Sequence, residues 1–164
     1  MELLYNKSME QFFTQNSEVI LKLTIAVLLG MIIGAERLFV HKEAGMKTHA
    51  LVCMGASLFV LFSEAMAEKY INLPGFNPAM IASNIIVGIG FLGAGTIMFR
   101  DSRTRGLTTA SGLWVTAGIG MACGFGLFSL AVISTILVLF VFIVMSLIEK
   151  PIRKISDESF EKEE

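Results

Sequence analysis

Charge is scarce in this sequence, and it is missing altogether from long stretches. Only 16% of the 164 residues are charged and 54% are apolar, whereas a soluble domain carries about a quarter charged residues. Leu23–Ala35, Thr48–Ser63, Asn77–Phe99 and the whole of Gly106–Ile148 hold no Asp, Glu, Lys or Arg. A crossing takes about 20 apolar residues, so Gly106–Ile148 is long enough for two. These gaps exclude a soluble globular domain and make the lipid bilayer the chain's first partner. Cysteine is scarce as well. Cys53 and Cys123 both lie inside apolar segments. One is expected near the start of a helix and the other near the end of a second helix running the same way, too far apart for a disulfide, so each reads as a small packing residue. Residues 1–20 lack an apolar core and a small-residue cleavage site, so they do not read as a secretory signal. There are two histidines, no nucleophile–base pair, no metal-ligand spacing and no phosphate loop. Nothing therefore points to an enzyme or to nucleic acid, and no cofactor is expected.

What is present is a succession of apolar segments with marked ends. The expected fold is an all-α integral membrane protein with five transmembrane helices, about Glu18–Phe39, Thr48–Tyr70, Pro78–Phe99, Leu107–Cys123 and Leu127–Ile148. Residues 1–17 form a leader in which Tyr5, Met9 and Phe12 share a helical face suited to the interface. Residues 18–149 form the membrane domain, and 150–164 a short charged tail that is disordered or frayed by default. Asn77 can cap the third helix with Pro78 at its first position. Gly124-Phe-Gly126 makes a tight, uncharged turn, and Pro151 is expected to stop the fifth helix.

Lysine and arginine set the orientation. Arg37, Lys42 and Lys47 follow the first span, Arg100, Arg103 and Arg105 the third, and Lys150, Arg153 and Lys154 the fifth, against Lys7, Lys22 and Lys69 on the other side. That alternation places the N terminus outside and the C terminus in the cytoplasm.

Glycine is the most patterned residue. Gly88-x-Gly90-x-x-Gly93 matches a dinucleotide fingerprint, but that motif needs a preceding strand and an acidic residue about 20 positions on, and Gly112-Leu113 stands there instead. In lipid, small residues let helix backbones approach closely. Asn84, Gly88 and Gly95 share one face of the third span, and Gly90 and Gly93 crowd the roughly opposite one, so this helix is expected to be gripped on both sides at the centre of the bundle. Gly30 and Gly34 line the first span with Ala26 and Arg37. Thr109, Gly112, Thr116, Gly120 and Cys123 line the fourth.

Polar residues gather at the cytoplasmic ends. Glu36 and Arg37 close the first span, Lys47, Thr48 and His49 open the second, Arg100 and Asp101 close the third, and Arg105, Gly106, Thr108 and Thr109 open the fourth. A cluster with Glu36 on Arg105 or Arg37 and His49 on a carboxylate is expected there. Within the bilayer Asn84 is the strong polar group, and a buried amide in lipid needs hydrogen-bond partners. Glu64 lies near the outer end of the second span, within reach of the headgroups. No span carries two acidic residues in its middle, which is a poor provision for the oxygen ligands that Mg²⁺ requires. Glu36 with Asp101 is the candidate for a shallow metal site. Metal binding that survives Glu36→Gln together with Asp101→Asn would rule it out.

Four ordered motifs then carry a likeness. Gly34-Ala-Glu-Arg37, Ala44-Gly-Met-Lys-Thr-His-Ala-Leu-Val52, Gly88-Ile-Gly-Phe-Leu-Gly-Ala-Gly95 and Arg105-Gly-Leu-Thr-Thr-Ala110 with Trp114 resemble the MgtC/SapB family over about residues 20–148. The resemblance implies a multi-pass protein of the bacterial inner membrane with five spans, linked to growth in low magnesium and to virulence. It makes Mg²⁺ a candidate ion, and implies a regulator that binds other membrane proteins, the F-type ATP synthase among them. It carries Glu36, Arg37, Lys47, Thr48, His49, Gly88–Gly95, Arg105, Gly106, Thr108, Thr109 and Trp114 over as positions of interest. Two departures stand out. A cytoplasmic C-terminal domain of ACT-like kind, present in many members, is not in this sequence. Lys47 stands where arginine is usual, which keeps the charge but loses the planar fork. Small-residue stripes on the first, third and fourth spans exceed the needs of one bundle, so a homodimer is expected. The second reading is a transporter or channel for Mg²⁺ or another small ion or solute, with Asn84 in its path.

Overall fold

The computed structural model describes residues 12–70, 77, 79–100 and 103–160, with residues 100, 103 and 150–160 described as backbone. Among the described residues, after a short helical stretch at 12–15, the main elements are α1 (Ser17–Phe39), α2 (Met46–Tyr70), α3 (Ala79–Ala94), a hairpin of β1 (Met98–Arg100) and β2 (Arg103–Arg105), α4 (Leu107–Gly124) and α5 (Phe128–Phe160). Three of them are long and apolar enough to cross a membrane, namely Ser17–Phe39, Met46–Tyr70 and the Phe128–Glu149 part of α5. Ala79–Ala94 is apolar but shorter. An all-helical membrane architecture therefore holds, with the small hairpin as an addition. The expected leader falls mostly on residues outside those described, as does Asp101.

The helix ends follow local chemistry. Asn77 accepts the Ala79 N–H on Oδ1 at 3.0 Å, meeting one of the donors that a helix start leaves open. Gly126, at φ +71°, ends α4. Its N–H bonds the Cys123 carbonyl and the Leu127 N–H reaches the Ala122 carbonyl, a Schellman closure in which the left-handed residue is glycine by preference. The same closure ends α1, with Lys42 N–H on Arg37 O and His41 N–H on Leu38 O. There the left-handed position is His41, at φ 55°.

Two boundaries differ from expectation. The third helix stops at Ala94 rather than Phe99, because Gly95, Thr96 and Ile97 turn back onto the carbonyls of Phe91, Gly93 and Ala94. What reads as a basic turn is a two-stranded antiparallel hairpin pairing Met98 with Arg105 and Phe99 with Thr104. Gly106 follows at φ +90°, and a Cβ there would collide with the Thr96 carbonyl oxygen, so only glycine fits this junction. The fifth helix does not stop at Pro151 but runs to Phe160. The proline ring removes one N–H and frees the Leu147 carbonyl, and the helix continues around that gap.

Packing supplies the main correction. The central helix is α4, not α3. Ten residues of α4 are buried, against Ile89 and Gly93 alone on α3, and α4 packs on α1, α2, α3 and α5. Gly88 and Gly90 face open space, while Gly93 lies nearest Ala110, at ordinary contact distance. A glycine stripe states how closely a backbone can be approached, not that a neighbour arrives. The neighbours arrive elsewhere. A Cβ on Gly30 would lie 2.6 Å from the His49 carbonyl oxygen, one on Gly34 would lie 2.5 Å from the Met46 Cα, and one on Gly120 would overlap the Cys53 backbone. Gly124 lies equally close on Val60 and Ser57. These contacts fuse α1, α2 and α4 into a three-helix core around Ala26, Ile33, Cys53, Ile119 and Cys123.

Candidate functional site

The register between α2 and α4 decides which polar groups meet. His49 opposes Thr116, Cys53 opposes Gly120 and Ser57 opposes Gly124. The numbering offset is 67 throughout. The helices run in parallel, but α4 begins about six residues, roughly 9 Å, before the level at which α2 starts. That stagger brings Cys123 level with the third turn of α2, one turn beyond Gly120, so the Cys53 and Cys123 side chains lie in contact in one core cluster. This overturns the expected separation, which assumed two helices starting at a common depth. Both thiols are free.

At the end of α1, Glu36 pairs with its neighbour Arg37 through Oε2 and Nε, and not with Arg105, which is exposed on the hairpin. The Arg37 side chain is 3% exposed, and its guanidinium stacks over the Phe142 ring with Cζ 3.5 Å from the centroid, a favourable cation–π geometry. Arg37 thereby ties α1 to α5.

His49 is fully buried. No carboxylate holds it, contrary to expectation: its Nδ1 lies 2.8 Å from Thr116 Oγ1. The Thr116 hydroxyl donates to the Gly112 carbonyl at 2.8 Å, so it accepts from His49 Nδ1–H in this network. Among the described residues Nε2 is buried without a hydrogen-bond partner, as is Ser57 Oγ. The ring edge faces Gly112, where a Cβ would sit 3.6 Å from Cε1 and 3.0 Å from the end of the Phe142 ring. Gly112 is therefore the space that admits both the imidazole and the aromatic ring. Glu36, Arg37, His49, Gly112, Thr116 and Phe142 form one buried polar knot where α1, α2, α4 and α5 meet.

The remaining candidates lie outside the knot. Thr109 is buried near the start of α4, whereas Lys47, Thr48, Thr108 and Trp114 are exposed. Asp101 is not among the described residues, so the Glu36–Asp101 pairing has no described geometry. Among the described residues no group of three or more His, Cys, Asp or Glu side chains gathers to hold a metal. Asn84 is exposed rather than buried. It lines an open groove of about 460 Å³ between α2 and α3 with Val52, Gly55, Phe59 and Gly88.

Two features escape a reading by segment. Thr116 and Phe142 enter the knot only through helix register, and α5 is too uniformly apolar to single out one ring. At the opposite end of the core, Lys22 is buried and pairs with Glu18 at 2.9 Å and Glu64 at 3.4 Å. Glu64 thus turns toward α1 instead of reaching for headgroups. Its helical position on the same face as Ser57 and Val60 is the signal that would have found it.

The MgtC family profile matches residues 23–151. Protein MgtC of Salmonella typhimurium strain LT2 is 47% identical over 120 residues, covering 73% of this chain and 49% of that protein. Protein MgtC of Brucella abortus is 43% identical over 114 residues, covering 70% and 45%. The protein of Escherichia coli K12 named "Putative magnesium transporter YhiD" is 39% identical over 127 residues, covering 76% and 59%. The chain spans about half the length of the curated relatives it matches. No solved structure matches it.

Proposed function

This chain belongs to the MgtC family, and from that premise we propose that it is a regulator of magnesium or ion homeostasis that works by contact with other membrane proteins, not an enzyme. In this reading it crosses the bacterial inner membrane five times with its N terminus outside. The F-type ATP synthase is a partner of the kind it binds, and stress or virulence adaptation is the setting.

The observation that carries this reading is the fused core. A conduit through the bundle would run between α1, α2 and α4, and there the backbones touch. No room remains for a hydrated divalent cation beside Gly30, Gly34 and Gly120, and Mg²⁺ sheds its waters reluctantly. Most of the polar groups inside are paired: Arg37 with Glu36 and Phe142, His49 Nδ1 with Thr116, and Lys22 with Glu18 and Glu64, which leaves His49 Nε2 and Ser57 Oγ without partners among the described residues. The free surface lies on α3 and α5, where a partner helix can dock.

The alternative is a transporter or channel for Mg²⁺ or another small ion, favoured by the name of the Escherichia coli relative and by the open groove at Asn84. Flux into liposomes separates the two. The regulatory reading expects purified protein to leave a magnesium-sensitive dye inside the vesicles unchanged, while cross-linking in native membranes recovers a membrane partner. Saturable Mg²⁺ entry that disappears in Asn84→Leu would replace it with the transporter.

A further inference from the structure

Among the described residues the core leaves His49 Nε2 and Ser57 Oγ without partners, and the surface of α3 carries an unpaired amide as well. Asn84 lies five residues past Ala79 on α3, about 7.5 Å along its axis. It is exposed, with no hydrogen bond to any described residue, on the wall of an otherwise apolar groove. In hydrocarbon an amide must find a donor and an acceptor. We infer that this groove seats a second copy of this chain, with the two α3 helices parallel about a twofold axis along the membrane normal and Asn84 paired with Asn84 of the second copy.

Three observations select that occupant. An acyl chain fills apolar space but offers an amide nothing, so lipid alone leaves Asn84 unpaired. A carboxamide carries both donors and an acceptor, which makes it complementary to itself. Two copies inserted in the same sense hold Asn84 at the same depth, so a twofold axis normal to the bilayer brings the two amides together without further adjustment. The groove is also shaped for a helix. Gly88 lies one turn beyond Asn84 on the same face with open space where its Cβ would be, and Gly55 lowers the facing wall on α2. Small residues in this arrangement let backbones close on one another in lipid. Val87 and Phe91 border the stripe on the side away from α2 at 62% and 80% exposure, extending the apolar contact there. The inference rests on the membrane setting alone, so it stands or falls apart from the regulatory reading.

The test uses the full chain in liposomes at low protein density. Gly88→Cys is expected to fold normally because its site is open, and to give a disulfide-linked dimer on mild oxidation. The wild type, whose two cysteines are buried, and Leu137→Cys, exposed on α5, are expected to give none. Dimerisation measured by energy transfer between labelled copies is expected to weaken about tenfold in Asn84→Leu and to recover in part in Asn84→Gln, which keeps the amide. Cross-linking at Leu137 but not at Gly88 would overturn the proposal. So would energy transfer showing a monomer at all densities, which would give the groove to lipid or to a different protein, or an Asn84→Leu variant that associates as tightly as the wild type.

Discussion

Two glycine-rich helices of similar length behave in opposite ways. On α4, Gly112, Gly120 and Gly124 each touch another helix while Gly118 does not, and the helix is buried among four neighbours. On α3, Gly93 meets Ala110 of α4 but Gly88 and Gly90 touch nothing, and most of the helix surface is free. The same residue type is a closed seam in one place and an open one in the other. The closed seam brings the backbones of α1, α2 and α4 into contact. The open seam leaves small residues on the surface, where the proposed regulatory role would have a partner dock.

The widest gap between the two helices should come from paired substitutions. In Gly120→Val the new side chain lands on the Cys53 backbone, and overpacking that cannot be relieved by rotamers costs about 3 kcal/mol or more. Loss of a monodisperse peak in detergent chromatography is expected. Gly90→Val enters open space and should run like the wild type. Equal damage from both would erase the distinction. Arg37→Ala comes next, since it removes the guanidinium from Phe142 and leaves Glu36 buried without its partner. Breaking a buried pair costs about 3 kcal/mol, read as a fall in the thermal midpoint of the detergent-solubilised protein. Thr116→Val keeps the shape but takes the hydroxyl from His49 Nδ1. About 1–2 kcal/mol is expected, with the decrease largely absent when His49 is already replaced by Phe. His41→Gly is the smallest and has the opposite sign. Glycine adopts the left-handed closure of α1 without penalty, so a gain of about 1 kcal/mol in thermal stability is expected.

Much of the architecture is legible from residue order because helix ends are local events. Asn77, Gly126 and the charge-free stretches mark α3, α4 and the segments between them by rules that need only a few neighbouring residues. The polar knot is half legible on the same grounds: Glu36, Arg37 and His49 stand out as polar groups at the ends of apolar runs. Their partners do not. Whether His49 meets a carboxylate or Thr116 depends on a stagger of two helices separated by more than 60 residues, set by where Gly120 can approach Cys53. The same stagger brings Cys53 and Cys123 together, and the hairpin after α3 shifts the start of α4 so that this happens. Which glycine stripe is closed and which is open cannot be told from either stripe, since the answer lies in the helix that faces it.

The two native cysteines offer the most direct test of the dry, fused core. Both are fully buried where α1, α2 and α4 meet. In liposomes, a charged, water-soluble thiol reagent applied on both sides should modify neither Cys53 nor Cys123, while both should react fully once the protein is unfolded in detergent. Modification of either cysteine in the folded protein would mean that water reaches the core, and a path for ions would then replace contact as the basis of function.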